Sequence, residues 1–137
     1  MEASSQPAHA VSLAVPAKPD YVVLARLALS AVCRLSPLAP EEVADLKLAI
    51  TEASNYLMGG ERRQQARGDD GNVKGRLTFQ FDLANDSIEL RVSGEEMPTV
   101  SAEERELSIA LIKATVDSYE YDDGQMRLTK QLRFDDE

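Results

Sequence analysis

Tryptophan is missing from this sequence, and cysteine and histidine each occur once. Those shortages close several routes to chemistry at once. The lone His9 stands close to the N-terminus, so neither a Ser-His-Asp nor a Cys-His arrangement has a base where a folded core would place it. A zinc site needs several His or Cys ligands, and the chain offers two such residues. Cys33 has no second cysteine to pair with, and its apolar helical neighbours predict a buried thiol suited to a reducing cytoplasm. The seven glycines form neither G-x-G-x-x-G nor G-x-x-x-x-G-K-[ST], which sets aside both common phosphate loops. Long apolar runs are absent too. The stretch Tyr21 to Leu29 is broken by Arg26, so no membrane span is expected. Met1 to Ala10 carries Glu2 and no basic segment, unlike a secretion signal. No internal repeat is visible.

Positive charge is scarce. Fifteen basic residues face twenty-four acidic ones, a formal net charge of −9, which argues against direct binding of nucleic acid. Arg62, Arg63 and Arg67 form the one basic cluster, read here as a solvated loop.

What remains is the composition of a single soluble domain, with 43% hydrophobic and 28% charged residues. Residues 1–10 read as a flexible tail, 11–134 as the domain and 135–137 as an acidic tail. Val11 to Val15 alternates like a half-buried strand. After Pro16 and Pro19, a helix from Tyr21 to Leu35 is apolar on nearly all sides, which suggests a second surface to cover, by a partner or a second copy. Pro40, Glu41 and Glu42 open a second helix whose stripe runs Val43, Leu46, Ile50, Ala53, Leu57, closed by Gly59 and Gly60. The period then falls to two in Leu77, Phe79, Phe81, Leu83 and again in Ile88, Leu90, Val92, a hairpin turning at Asn85 and Asp86. Ser101 and Glu104 form a capping box before a third helix, Ala102 to about Val116. Ser118–Tyr121 and Gln125–Phe134 flank a last turn at Asp122, Asp123 and Gly124. The order β-α-α-β-β-α-β-β predicts an α+β fold, a two-layer sandwich of about three helices on one face of the sheet.

Three segments carry a resemblance to a known family: Asp45-Leu46-Lys47-Leu48-Ala49-Ile50-Thr51-Glu52-Ala53, Val15-Pro16-Ala17-Lys18-Pro19-Asp20-Tyr21-Val22, and Leu128-Thr129-Lys130-Gln131-Leu132. Together they are similar to the RsbW-type anti-sigma factors, serine-protein kinases of the GHKL class of histidine kinase-like ATPases. The resemblance spans Val11 to Leu132 and implies a mixed, mainly antiparallel sheet. In that family the second helix reads Glu-Ala-x-x-Asn, the Glu serving as general base and the Asn holding magnesium. Glu52 and Ala53 match, but Tyr56 stands at the Asn position, and Asn55 comes one residue early, about 100° round the helix. An Asp that reads adenine is replaced by Gly94, and the first glycine after it by Glu96. The glycine-rich turn at the third helix is replaced by Arg105-Glu106-Leu107-Ser108. There Glu103, Glu104 and Glu106 bring negative charge to a helix start that would otherwise cradle phosphate.

The resemblance thus implies pocket positions Asn55, Tyr56, Gly94 and Ser108, mostly non-matching, and a vestigial base at Glu52. No metal or cofactor is expected; ATP and magnesium would bind only if the pocket has survived. Arg26 corresponds to a first-helix arginine with which relatives contact a sigma factor or its antagonist. The expected function is that of a degenerate, cytoplasmic regulator of transcription and stress response, acting by binding a sigma factor or a STAS-domain antagonist. A homodimer is possible on this reading, and direct contact with nucleic acid or membrane is not expected. The alternatives are an active serine kinase of the antagonist and a scaffold protomer in a signalling assembly.

Overall fold

Alternation and punctuation set the elements. The computed structural model describes residues 9–59, 75–95 and 100–132. Strand β1 spans His9–Pro16; a 3₁₀ turn at Pro19–Tyr21 leads into helix α1, Val22–Cys33. Helix α2 spans Pro40–Leu57, strands β2 and β3 span Arg76–Leu83 and Ser87–Gly94, and helix α3 spans Ala102–Lys113. Strands β4, Ser118–Asp122, and β5, Gln125–Gln131, complete one five-stranded sheet in the order β1-β2-β3-β5-β4.

Period-two burial puts one face of this sheet inside. Leu77, Phe79, Phe81 and Leu83 of β2, Ile88, Leu90 and Val92 of β3, and Met126 and Leu128 of β5 are all buried. Register keeps them in rows: Phe79 opposes Val92, and Leu90 opposes both Phe81 and Leu128. The helices cover this face in sequence, with α1 over β1 and β2, α2 over β3, and α3 beside β4. From α1 come Val22, Ala25, Leu29 and Val32, and from α2 Leu46, Ala49, Ile50, Ala53 and Leu57, a spacing of three and four that fits one helical face.

The opposite face is polar and pairs with itself. Ser12 hydrogen-bonds Gln80, and Gln80 Nε2 donates to Asp82 Oδ1 at 2.8 Å. Arg91 pairs with Asp82 and Glu89, and Arg127 bridges Glu89 at 3.3 Å and Glu120 at 3.2 Å. A chain of polar contacts therefore crosses all five strands, and the sheet carries helices on one side only.

The expected α+β sandwich is found, with differences at the margins. Every ladder is antiparallel, so the sheet has no mixed component. Strand β1 starts at His9, two residues inside the expected tail, because β2 supplies partners as far as Leu83. Helix α1 stops at Cys33 instead of Leu35: Leu35 N donates to Val32 O at 3.0 Å, and Ser36 Oγ takes the Cys33 carbonyl. Helix α3 ends at Lys113 rather than Val116, where Thr115 Oγ1 donates to the Ile112 carbonyl. Residues 1–8, 133–137 and the loop holding Arg62, Arg63 and Arg67 lie outside the described residues, as does Glu96. Among the described residues no helix is long and apolar enough to cross a membrane.

Phe81 has no exposed surface, so Phe81→Ala should lower the unfolding free energy by about 3–5 kcal/mol. Thr78→Ala, on the exposed face of the same strand, should change it by about 0.5 kcal/mol or less. Urea denaturation of both variants checks this; equal losses would refute the assignment of the two faces.

Candidate functional site

Helix α2 presents two flanks, and the candidate residues divide between them. On the flank facing α3, Glu52, Asn55 and Tyr56 meet Val100, Glu104, Leu107, Ser108 and Leu111 around a cavity of about 200 Å³. Four of the six sequence-predicted residues therefore come together here. Residues 52, 55 and 56 share this flank because α2 is anchored by Leu46, Ile50, Ala53 and Leu57 beneath it. Asn55 stays at the cavity despite its one-residue displacement. Gly94 does not line it. Its N–H donates to Gly124 O at 3.2 Å, and a Cβ there would touch Leu57 at 3.6 Å.

Glu52, Glu104 and Ser108 are held by this chain's own atoms. Ser108 Oγ donates to Glu52 Oε1 over a long 3.4 Å. Ser101 Oγ accepts from the Glu104 N–H at 3.1 Å, and the Glu104 carboxylate accepts from the Ser101 N–H at 3.4 Å. This reciprocal cap occupies an amide that a helix start can offer to an anion. Glu103 and Glu104 fill the first turn of α3 with negative charge, beside which stands Arg105. Among the described residues no three His, Cys, Asp or Glu side chains converge to hold a metal ion.

Below the cavity is an aromatic cluster that sequence reasoning missed. Tyr56 is 6% exposed and meets Tyr121 edge-to-face, with ring centroids 5.8 Å apart and planes at 90°, a favoured aromatic geometry. Tyr119 joins from the same strand face, with the Lys113 ammonium 5.9 Å from its ring centre. Burial first, and then the neighbouring phenols, push Tyr119 and Tyr121 above the usual tyrosine range, with Arg105 opposing. The pairing of Tyr119 and Tyr121 two residues apart on a strand was the available signal, since that spacing puts both rings on one face.

On the other flank of α2, Arg26 of α1 donates to Thr51 Oγ1 at 3.4 Å. It is half-buried, with the guanidinium lying across the helix pair. The expected partner residue and the expected pocket are thus on opposite sides of one helix.

The cap can be tested directly. Ser101→Ala should destabilise the fold by about 1 kcal/mol and speed amide exchange in the first turn of α3. Unaltered exchange there would show that α3 does not depend on its own cap.

Comparison with known proteins adds three findings. Residues 15–132 match the family described as the histidine kinase-like ATPase domain. "Serine-protein kinase RsbW" of Listeria monocytogenes serotype 4a (strain HCC23) is 34% identical over 83 residues, 61% of this chain and 48% of that protein. The protein of the same name in Bacillus subtilis (strain 168) is 33% identical over 85 residues, 62% of this chain and 49% of that one. The chain spans about half the length of the curated relatives it matches. The crystal structure of the RsbU and RsbW domains of Rv1364c from Mycobacterium tuberculosis superposes with a TM-score of 0.62 at 16% identity, covering 93% of this chain and 33% of that one, a likeness of fold. The family match runs from the end of β1 through every later strand and helix: the chain belongs to the histidine kinase-like ATPase domain family.

Proposed function

We propose that this chain is an anti-sigma-type regulator that acts by binding a sigma factor or a STAS-domain antagonist, and that its α2–α3 cavity does not hold magnesium–ATP. The observation that carries the second half is Tyr56. Where the resemblance asks for a magnesium-binding amide, a phenol is buried against Tyr121, and a phenol is a poor ligand for a hard cation. Three further features agree. The cavity, about 200 Å³, is smaller than the roughly 300–1,000 Å³ of ordinary ligand pockets. Gly94 offers no side-chain acceptor to an adenine amino group. Glu103 and Glu104 oppose phosphate at the start of α3. The residues present do not fit the nucleotide.

A second reading has its own support. The matched relatives are named serine-protein kinases, and Glu52, Asn55 and Ser108 still gather at one cavity. Calorimetric titration of the purified chain with ATP and magnesium separates the two. The regulator predicts no binding at about millimolar ATP, with a purified sigma factor or STAS protein retained on the immobilised chain. Magnesium-dependent ATP binding with phosphate transfer to a serine of the STAS protein would establish the kinase instead.

The regulator also has a surface fit for a second copy. Leu24, Ala28 and Ala31 make one stripe of α1 on the side away from α2, and Leu24 is exposed, as is Leu35 just beyond the helix. Beside it runs the outer edge of β1, which among the described residues pairs with β2 alone and has no charged residue from Ala10 to Val15. Such an edge invites another strand, and its neutrality lets two chains of charge −9 meet without repulsion. Sedimentation should show a dimer that Leu24→Glu converts to a folded monomer; a monomer before substitution overturns this part.

A further inference from the structure

The charge on α2 is sorted by flank. Asp45 and Glu52 fall on the side of α3, whose own first turns carry Glu103, Glu104 and Glu106. Ala44, Lys47 and Thr51 form the opposite stripe, spaced three and four residues apart, and face α1. Across from them Arg26, Ser30 and Arg34 succeed one another every four residues along α1. Arg26 reaches Thr51, and Lys47 is close enough to Cys33 for its charge to oppose the effect of burial, which pushes that thiol up to about 11. Arg34, Lys47, Ser30, Leu38 and Val43 contribute to the wall of a cleft of about 510 Å³ where the two helices diverge.

Neither Arg26, Arg34 nor Lys47 has an ion-pair partner among the described residues. On the polar face of the sheet Arg91 and Arg127 are each paired with carboxylates. Arg26, Arg34 and Lys47 instead set three cations along one groove of a chain of net charge −9. At the α2 start the Glu42 carboxylate accepts from the Ala39 N–H at 2.9 Å and Glu41 is exposed; neither forms an ion pair with Arg34 or Lys47. Apolar residues rim the groove on both sides: Val23 and Leu27 from α1 and Leu48 from α2 are exposed, Leu27 by 61%.

From this arrangement we infer that the α1–α2 groove is a docking site for an acidic amphipathic helix of a partner protein. The inference rests on the reading of the chain as a protein-binding regulator and specifies the chemistry of what it binds. A helix laid along two others places leucines on Val23, Leu27 and Leu48 and carboxylates against the guanidinium and ammonium groups. Arg26 and Arg34 are two turns apart, about 12 Å along the axis, so the partner's carboxylates recur about every seven or eight residues. Charge-assisted contact with Arg also favours carboxylates over neutral acceptors. Glu103 and Glu104 in the first turn of α3 repel such a segment, which favours the α1–α2 groove over the α2–α3 one.

The test uses the full chain and a fluorescein-labelled, helix-forming peptide of about 18 residues, with leucines on one face and glutamates flanking it. A counterpart carries lysines in place of the glutamates. Fluorescence anisotropy should show binding of the glutamate peptide alone, weakened about tenfold or more by Arg34→Glu with Lys47→Glu and by raising salt to about 0.3 M. Arg105→Glu, on α3, should leave it unchanged. Arg34→Gln with Lys47→Gln reports the same loss if the reversal perturbs folding. Equal binding of both peptides, or a double variant that binds like the parent, overturns the inference. Displacement by inorganic phosphate at matched ionic strength overturns it too, by showing a small-anion site. A purified sigma factor or STAS protein retained equally by parent and double variant removes the groove but leaves the regulatory function. Peptide binding at the groove with neither protein retained does the reverse.

Discussion

The seating of α2 on β3 is the contact from which the rest of the molecule is arranged. Leu46, Ala49, Ile50, Ala53 and Leu57 are buried along one line of that helix, and once that line is fixed, the direction of every other α2 side chain follows from the helical period. Glu52 and Asn55 are turned to α3, Lys47 and Thr51 to α1. A rotation of one residue, about 100°, would exchange core for surface and collapse both flanks, so the packing energy of the stripe also holds the functional geometry in place.

That single constraint yields two grooves of opposite character. On the α3 side, carboxylates, a self-satisfied helix cap and a packed tyrosine pair leave a small cavity with little positive potential. On the α1 side, cations without partners line a wider cleft. The polar lattice on the other sheet face is different again. Asp82, Glu89, Arg91, Glu120 and Arg127 pair with one another from β2 to β4, so that part of the face adds rigidity and solubility. Arg26, Arg34 and Lys47, none of them ion-paired among the described residues, stand together on the α1–α2 side.

Much of this was legible in the sequence where a single period dominates. The α2 stripe, bounded by Pro40 and Gly59, and the β2–β3 hairpin, with its strict alternation, were readable because one rule covers each. The flanks of α1 were not. With nearly every position apolar, periodicity could not say which side met the sheet, and only the spacing of Arg26 and Arg34 held a clue. The packing of Tyr56 was also hidden, since its partner Tyr121 is on a strand placed by the β5 pairing, and strand order is set by tertiary contacts that no local pattern records. Asn55 illustrates a different limit. A shift of one residue in sequence suggested removal from the pocket, yet the cavity is broad enough along α2 for residues 52, 55 and 56 to line it together.

The two grooves also differ in how they tolerate change. Recognition of a nucleotide triphosphate depends on metal ligand, base acceptor and phosphate amides acting together, and each buried polar group left unmatched costs about 1–3 kcal/mol. On the proposed reading, a phenol at position 56 and a glycine at position 94 would together remove most of that binding. A groove that reads an acidic helix works by summation. Its cations are solvated when free, each contributes modestly, and apolar contacts along Val23, Leu27 and Leu48 share the load, so no one substitution abolishes it. Under the proposed function, protein binding would keep the α1–α2 surface while the α2–α3 side is free to gain packing. The Tyr56–Tyr121 contact is packing of that kind, and it stabilises the fold beside the cavity.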